Sequence, residues 1–155
     1  MPVRRLLRAG ITAGAVAACL LGTIPAAGAA PRSFAAASVH GNGAGAVGAE
    51  ATGGITWHNR SVTLTSVRLY VAARECGRCN IVAWQGDRVV DSVASTQQCA
   101  GATGRWIPYG DLPLDGSWIA GGSTEVAIDV YDDTHTGNGW ADSTRSGSSC
   151  YTWPR

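Results

Sequence analysis

The stretch from Thr124 to Trp140, TEVAIDVYDDTHTGNGW, constrains the fold of this chain more than any other. Val126, Ile128 and Val130 alternate with Glu125, Ala127, Asp129 and Tyr131. A period of two belongs to a β-strand with one buried face. The same alternation sorts the acids at its end. Asp129 and Asp133 share a face with Tyr131, whereas Asp132 points with Val130 to the other side. Asp132, Asp133 and His135 crowd together before a Gly137-Asn138-Gly139 turn, and Trp140 follows.

The sequence around this strand also reads as strands. Ile55-Thr56-Trp57-His58 alternates, and Asn59-Arg60-Ser61 is a turn. Val62 and Leu64 are followed by Val67, Leu69 and Val71, so the apolar parity changes. A strand can do that only by taking in an extra residue, which predicts a bulge or bend at Thr65–Ser66. Asn80 to Gln85 and Arg88 to Ala94 form a hairpin closed by Gly86-Asp87. Arg105-Trp106-Ile107 reads as a short strand ended by Pro108, and Trp140 to Thr144 as another strand. Cys150 to Trp153 pins the C-terminus. No segment after the N-terminal region has a 3.6-residue apolar repeat. The expectation is an all-β fold: a small, disulfide-stapled antiparallel β-sandwich or jelly roll of about seven to nine short strands.

Of the 155 residues, the first 29 read as a signal peptide. Arg4, Arg5 and Arg8 precede an apolar run from Ala9 to Ile24, and Ala27-Gly28-Ala29 offers small residues for cleavage. Gly10, Gly14 and Gly22 and the short run argue against a membrane span. Val16-Ala17-Ala18-Cys19 resembles a lipoprotein box, but Leu20, Leu21 and Ile24 carry the apolar run past Cys19, which favours a secreted, extracellular product. Residues 30–54 are Ala/Gly-rich and read as a flexible linker, leaving 55–155 as the β-sandwich domain. All basic residues are arginine, and Ala and Gly are abundant, the bias of a GC-rich bacterial genome. Removing Arg4, Arg5 and Arg8 leaves nine arginines against eleven acidic residues, a net charge of −2. That balance gives no electrostatic footprint for nucleic acid or anionic lipid.

Four cysteines lie beyond the signal segment: Cys76, Cys79, Cys99 and Cys150. In an exported chain an even number points to two disulfides, each stabilising by about 2–4 kcal/mol. With Gln85 opposite Arg88, the hairpin register places Cys76 opposite Gln97, close to Cys99. Cys76–Cys99 with Cys79–Cys150 is therefore the expected pairing; Cys76–Cys79 with Cys99–Cys150 is the alternative. A zinc site using these thiols would need a second CxxC beside Cys76-x-x-Cys79, and Cys99 and Cys150 do not form one.

The candidate ligand-binding residues are Asp129, Asp132, Asp133, His135 and Trp140. Asp129 and Asp133 are four apart on one strand, about 13 Å, which is too far for a glycosidase pair at ~5–9.5 Å. Hydrolytic chemistry would need a carboxylate from a neighbouring strand. Asp132, Asp133, Asn138 and Asp142 around the Gly-rich turn are hard oxygen ligands that calcium would accept, without EF-hand spacing. No cofactor is otherwise implied. Six tryptophans against one phenylalanine supply faces for stacking on sugar rings as well as bulk for a thin core. Trp84, within the hairpin, is expected in the core, and Trp118, Trp140 and Trp153 near loops or strand ends. The expected function is a secreted, non-catalytic binding or interaction module for an extracellular glycan, an envelope component or a protein. The alternatives are a secreted hydrolase using the acidic strand end, and an inhibitor or toxin-like protein presenting the loop from Thr96 to Gly104.

Overall fold

The computed structural model describes residues 32–40, 45–133, 138–147 and 150–153. The strands are β1 (Arg32–Val39), β2 (Val47–Trp57), β3 (Val62–Val71), β4 (Cys76–Gln85), β5 (Arg88–Ala94), β6 (Gln98–Cys99), β7 (Arg105–Leu114), β8 (Glu125–Asp132), β9 (Asn138–Thr144) and β10 (Cys150–Trp153). They form two antiparallel sheets, ordered β1-β2-β3-β7 and β10-β9-β8-β4-β5, with β6 pairing with β4. Among the described residues no helix is long and apolar enough to cross a membrane.

Alternation builds the core. Val126, Ile128 and Val130 of β8 are fully buried, as are Ile81 and Ala83 of β4 and Leu64, Val67, Leu69 and Val71 of β3. Each large aliphatic side chain removed from water in this way is worth about 1.5–3 kcal/mol. The parity change in β3 is absorbed where the sequence predicts it. The β3–β7 register shifts between Leu64 and Val67, and Ser66 takes a φ of 52°. The amide of Ser66 then donates to Asp111 Oδ1 instead of to the ladder. β7 does not stop at Pro108. It runs on through Pro108 and Pro113 because it is the edge of its sheet, where a residue without an N–H costs no ladder bond on the open side.

Two further expectations are corrected. Residues 32–39 and 47–54, read as flexible linker, are strand. Their inward positions are Phe34, Ala36 and Ser38 on β1 and Ala49 and Ala51 on β2. These side chains are mostly small, so the strands pack without the hydrophobic contrast that marks a strand in sequence. The expected signal segment, with Cys19, lies outside the described residues.

The second correction concerns the cysteines. The β4–β5 hairpin starts as expected, with Gln85 opposite Arg88, but the register shifts between Ala83 and Trp84. Val90 is the extra residue and turns into the core. With that slip and the short β6, Cys99 comes directly opposite Cys76, and the two are disulfide-bonded. Cys79 and Cys150 are free thiols. Cys79 pairs with Val130, whereas Cys150 pairs with Ser143, which aligns through Val126 with Ala83. They are therefore three strands apart and offset by four residues, on the order of 20 Å, against a disulfide limit of ~7 Å between Cα atoms.

Candidate functional site

β8 is central to the larger sheet, and its two faces carry two different arrangements. On the outer face Asp129 lies across the ladder from Trp140 of β9 and Asn80 of β4. Tyr131 lies across from Arg78, whose guanidinium stands over the tyrosine ring at 5.3 Å. Asp142 of β9 is one pair further along, opposite Ala127. Burial pushes the carboxyls of Asp129 and Asp142 above the usual carboxylate range; for Asp142 the charges of Glu125 and Asp129 add to it. Trp140 is 37 % exposed. The register pairs Trp153 of β10 with Trp140, and Tyr151 with Asp142. Trp84 is also on this outer face, opposite Glu125 and only partly buried, rather than in the core.

The inner face of β8 runs Val126, Ile128, Val130, then Asp132, which is 3 % exposed. A carboxylate at such a position needs partners. Facing it, β1 sends Phe34, Ala36 and Ser38 inward, and His40 follows at the end of the strand. Both strands therefore pass from apolar to polar at the same end of the sandwich. Ser38 Oγ donates to Asp132 Oδ2 at 2.7 Å. His40 Nε2 stands 3.5 Å from Asp132 Oδ2 and 3.2 Å from Glu75 Oε2. One nitrogen and two carboxylate oxygens lie within 4.8 Å of one another, a donor set able to ligate a metal ion.

The backbone around this trio is pinned. The amide of His40 donates to the carbonyl of Ala46, holding the histidine across the β1–β2 connection. Glu75 precedes the Cys76–Cys99 disulfide, and its carbonyl accepts from Ala100. Asp133 and Cys76 exchange two bonds: the Asp133 amide to the Cys76 carbonyl at 3.0 Å, and the Cys76 amide to Asp133 Oδ2 at 3.2 Å. The floor is Gly48. A Cβ there would stand 2.6 Å from Asp132 Oδ2, 2.6 Å from Glu75 Oε2 and 2.7 Å from His40 Nε2. A side chain at this position would displace the three side-chain ends from their present positions.

The expected site residues are thus divided. Asp129 and Trp140 are cross-strand neighbours on the outer face. Asp132 is buried on the inner face. Asp133 is exposed and holds the Cys76 backbone. His135 lies outside the described residues. The calcium set of Asp132, Asp133, Asn138 and Asp142 does not converge, because Asp132 points inward while Asp142 belongs to the outer face. The sequence reading missed His40 and Glu75. The signal that could have found them was the question raised by an inward Asp at the end of an apolar strand face, namely which groups satisfy it. Comparison with protein-family models, curated proteins and solved structures finds no match.

Proposed function

We propose that the protein is a secreted binding module whose outer β4–β8–β9 face takes a polysaccharide or a glycan of the cell envelope. One observation carries this reading: the half-exposed Trp140 lies directly across from Asp129, with Asn80 on the next strand. An indole face stacks on the apolar side of a sugar ring, and the adjoining carboxyl and amide groups accept and donate to its hydroxyls. Trp118, 54 % exposed, is a second accessible indole at the β5 edge of this sheet, where its Nε1 donates to the Val90 carbonyl and Arg88 stands over one ring face at 4.8 Å. A pull-down of the purified protein on insoluble glycans and cell-wall fractions tests the reading. Retention that Trp140→Ala reduces supports it; equal retention of Trp140→Ala, or none by the wild type, overturns it.

A hydrolase is the second reading, favoured by Asp142. It is a diagonal neighbour of Asp129 on the adjacent strand, which places Cα atoms about 7–8 Å apart. Two carboxyls on neighbouring strands of one face, both raised by burial, could divide acid and base roles. Release of reducing ends by the wild type and not by Asp142→Asn is the result that would establish it.

A further inference from the structure

We propose that His40, Glu75 and Asp132 bind one divalent first-row transition-metal ion of the zinc class at the seam between the two sheets. The inference is independent of the outer-face reading, since none of the three residues lies on that face.

Four observations lead to it. First, the donors are one imidazole nitrogen and two carboxylate oxygens, drawn from the end of β1, the β3–β4 connection and β8. A zinc site open to substrate or water has three protein ligands of this kind. Calcium would need about 6–8 oxygens, and magnesium a near-ideal octahedron of them. Second, the spacing is that of ligands about a small cation. Tetrahedral zinc with bonds near 2.0–2.2 Å sets its ligand atoms roughly 3.3–3.5 Å apart. His40 Nε2 is 3.2 Å from Glu75 Oε2, which is also a hydrogen-bonding distance, and 3.5 Å from Asp132 Oδ2, and the three donor atoms all lie within 4.8 Å of one another.

Third, two carboxylates meet at one place, and Asp132 is buried. A divalent ion offsets two carboxylate charges, and a neutral imidazole can ligate it beside them. Fourth, Gly48 keeps clear the space among the three donor atoms that a methyl group would crowd. The serine behind Asp132 supplies the outer support that orients a ligating carboxylate: Ser38 Oγ donates to the same Oδ2. The histidine and glutamate side chains are 28 % and 19 % exposed, so an ion can enter, and a water or an exogenous ligand can complete the coordination.

The test is zinc binding to the EDTA-stripped full chain, read by equilibrium dialysis with metal analysis and by thermal melting. The expected result is one zinc per chain and a Tm rise of roughly 10 °C at 100-fold excess over Kd, reversed by EDTA. His40→Ala and Gly48→Ala should each lose the bound metal and the shift. Glu75→Gln, which keeps the side-chain shape, serves if either of those fails to fold, and should bind at least tenfold more weakly. His58→Ala should keep full binding. Cobalt in place of zinc should give the visible spectrum of nitrogen and oxygen ligation. Saturable binding that His40→Ala and Glu75→Gln retain would overturn the proposal. So would a thiolate-to-cobalt charge-transfer band, which would move the ion to Cys79 or Cys150, or the absence of stoichiometric zinc.

Discussion

Trp140 is the cross-strand partner of Asp129, and Asp129 holds its proton to higher pH than an ordinary aspartate because its surroundings desolvate the carboxyl. An aromatic face and an acid held above its normal range thus share one rung of the ladder. Removing the indole should cost little stability, since Trp140 is already 37 % exposed. It should weaken binding to a soluble glycan by about 1 kcal/mol, close to fivefold in Kd. Isothermal titration of the wild type and Trp140→Ala, with melting curves alongside, separates the two effects.

The outer-face acids make stability fall as pH rises. Burial first, then the charges of Glu125 and Asp129, raise the folded-state value of Asp142 above 3.8. An acid whose folded value is raised favours the native state below its unfolded value, and that contribution is lost as pH rises through the folded value. Asp142→Asn removes the loss. Its Tm advantage over the wild type should therefore be small at about pH 3, below the unfolded value, and grow as pH rises through the folded value. Calorimetry across that range checks the sign; an advantage that shrinks with rising pH would contradict it.

The disulfide closes a loop with a sequence separation of 23. Chain-entropy arguments give about 3 kcal/mol for a loop of that size. Reduction, or Cys76→Ser with Cys99→Ser, should lower Tm by roughly 10 °C in a domain of this size. Because Glu75 adjoins Cys76, the reduced protein should also bind zinc less tightly, and the same titration measures both.

The two free thiols among the described residues should react at different rates. Cys79 is 3 % exposed, and burial pushes its thiol pKa up despite a hydrogen bond involving Ser95. Cys150 is only partly buried. Alkylation of the folded protein without reductant should label Cys150 well before Cys79, and denaturation should expose both. A non-reducing peptide map should recover Cys76 joined to Cys99; a peptide joining Cys79 to Cys150 would contradict the register.

How much of this was legible in the sequence depends on side-chain contrast. β8 could be read to the residue because Val126, Ile128 and Val130 alternate with polar neighbours, and the same period told that Asp132 points away from Asp129. The bulge at Thr65–Ser66 was legible from a change of parity. β1 was not, because its inward residues Ala36 and Ser38 differ little from its outward Ser33 and Ala35. Strand pairing, not local propensity, orders that segment. The His40–Glu75–Asp132 group was hidden for a related reason. Its members are brought together by the β1–β2 hairpin, the disulfide-bearing loop and β8, and no spacing within the sequence encodes that meeting. The bulge at Val90 was also silent, since Val89 and Val90 are identical in type, yet it moves the register one residue towards the Cys76–Cys99 pair.

β7 carries one further consequence. A second chain approaching along this sheet margin would look for a continuous row of amide donors. Pro108 and Pro113 withhold two of them, and Gly110, with φ of 75°, breaks the run between. Lateral growth of the sandwich is thereby discouraged on that side, where an uninterrupted strand would template fibre-like association between copies.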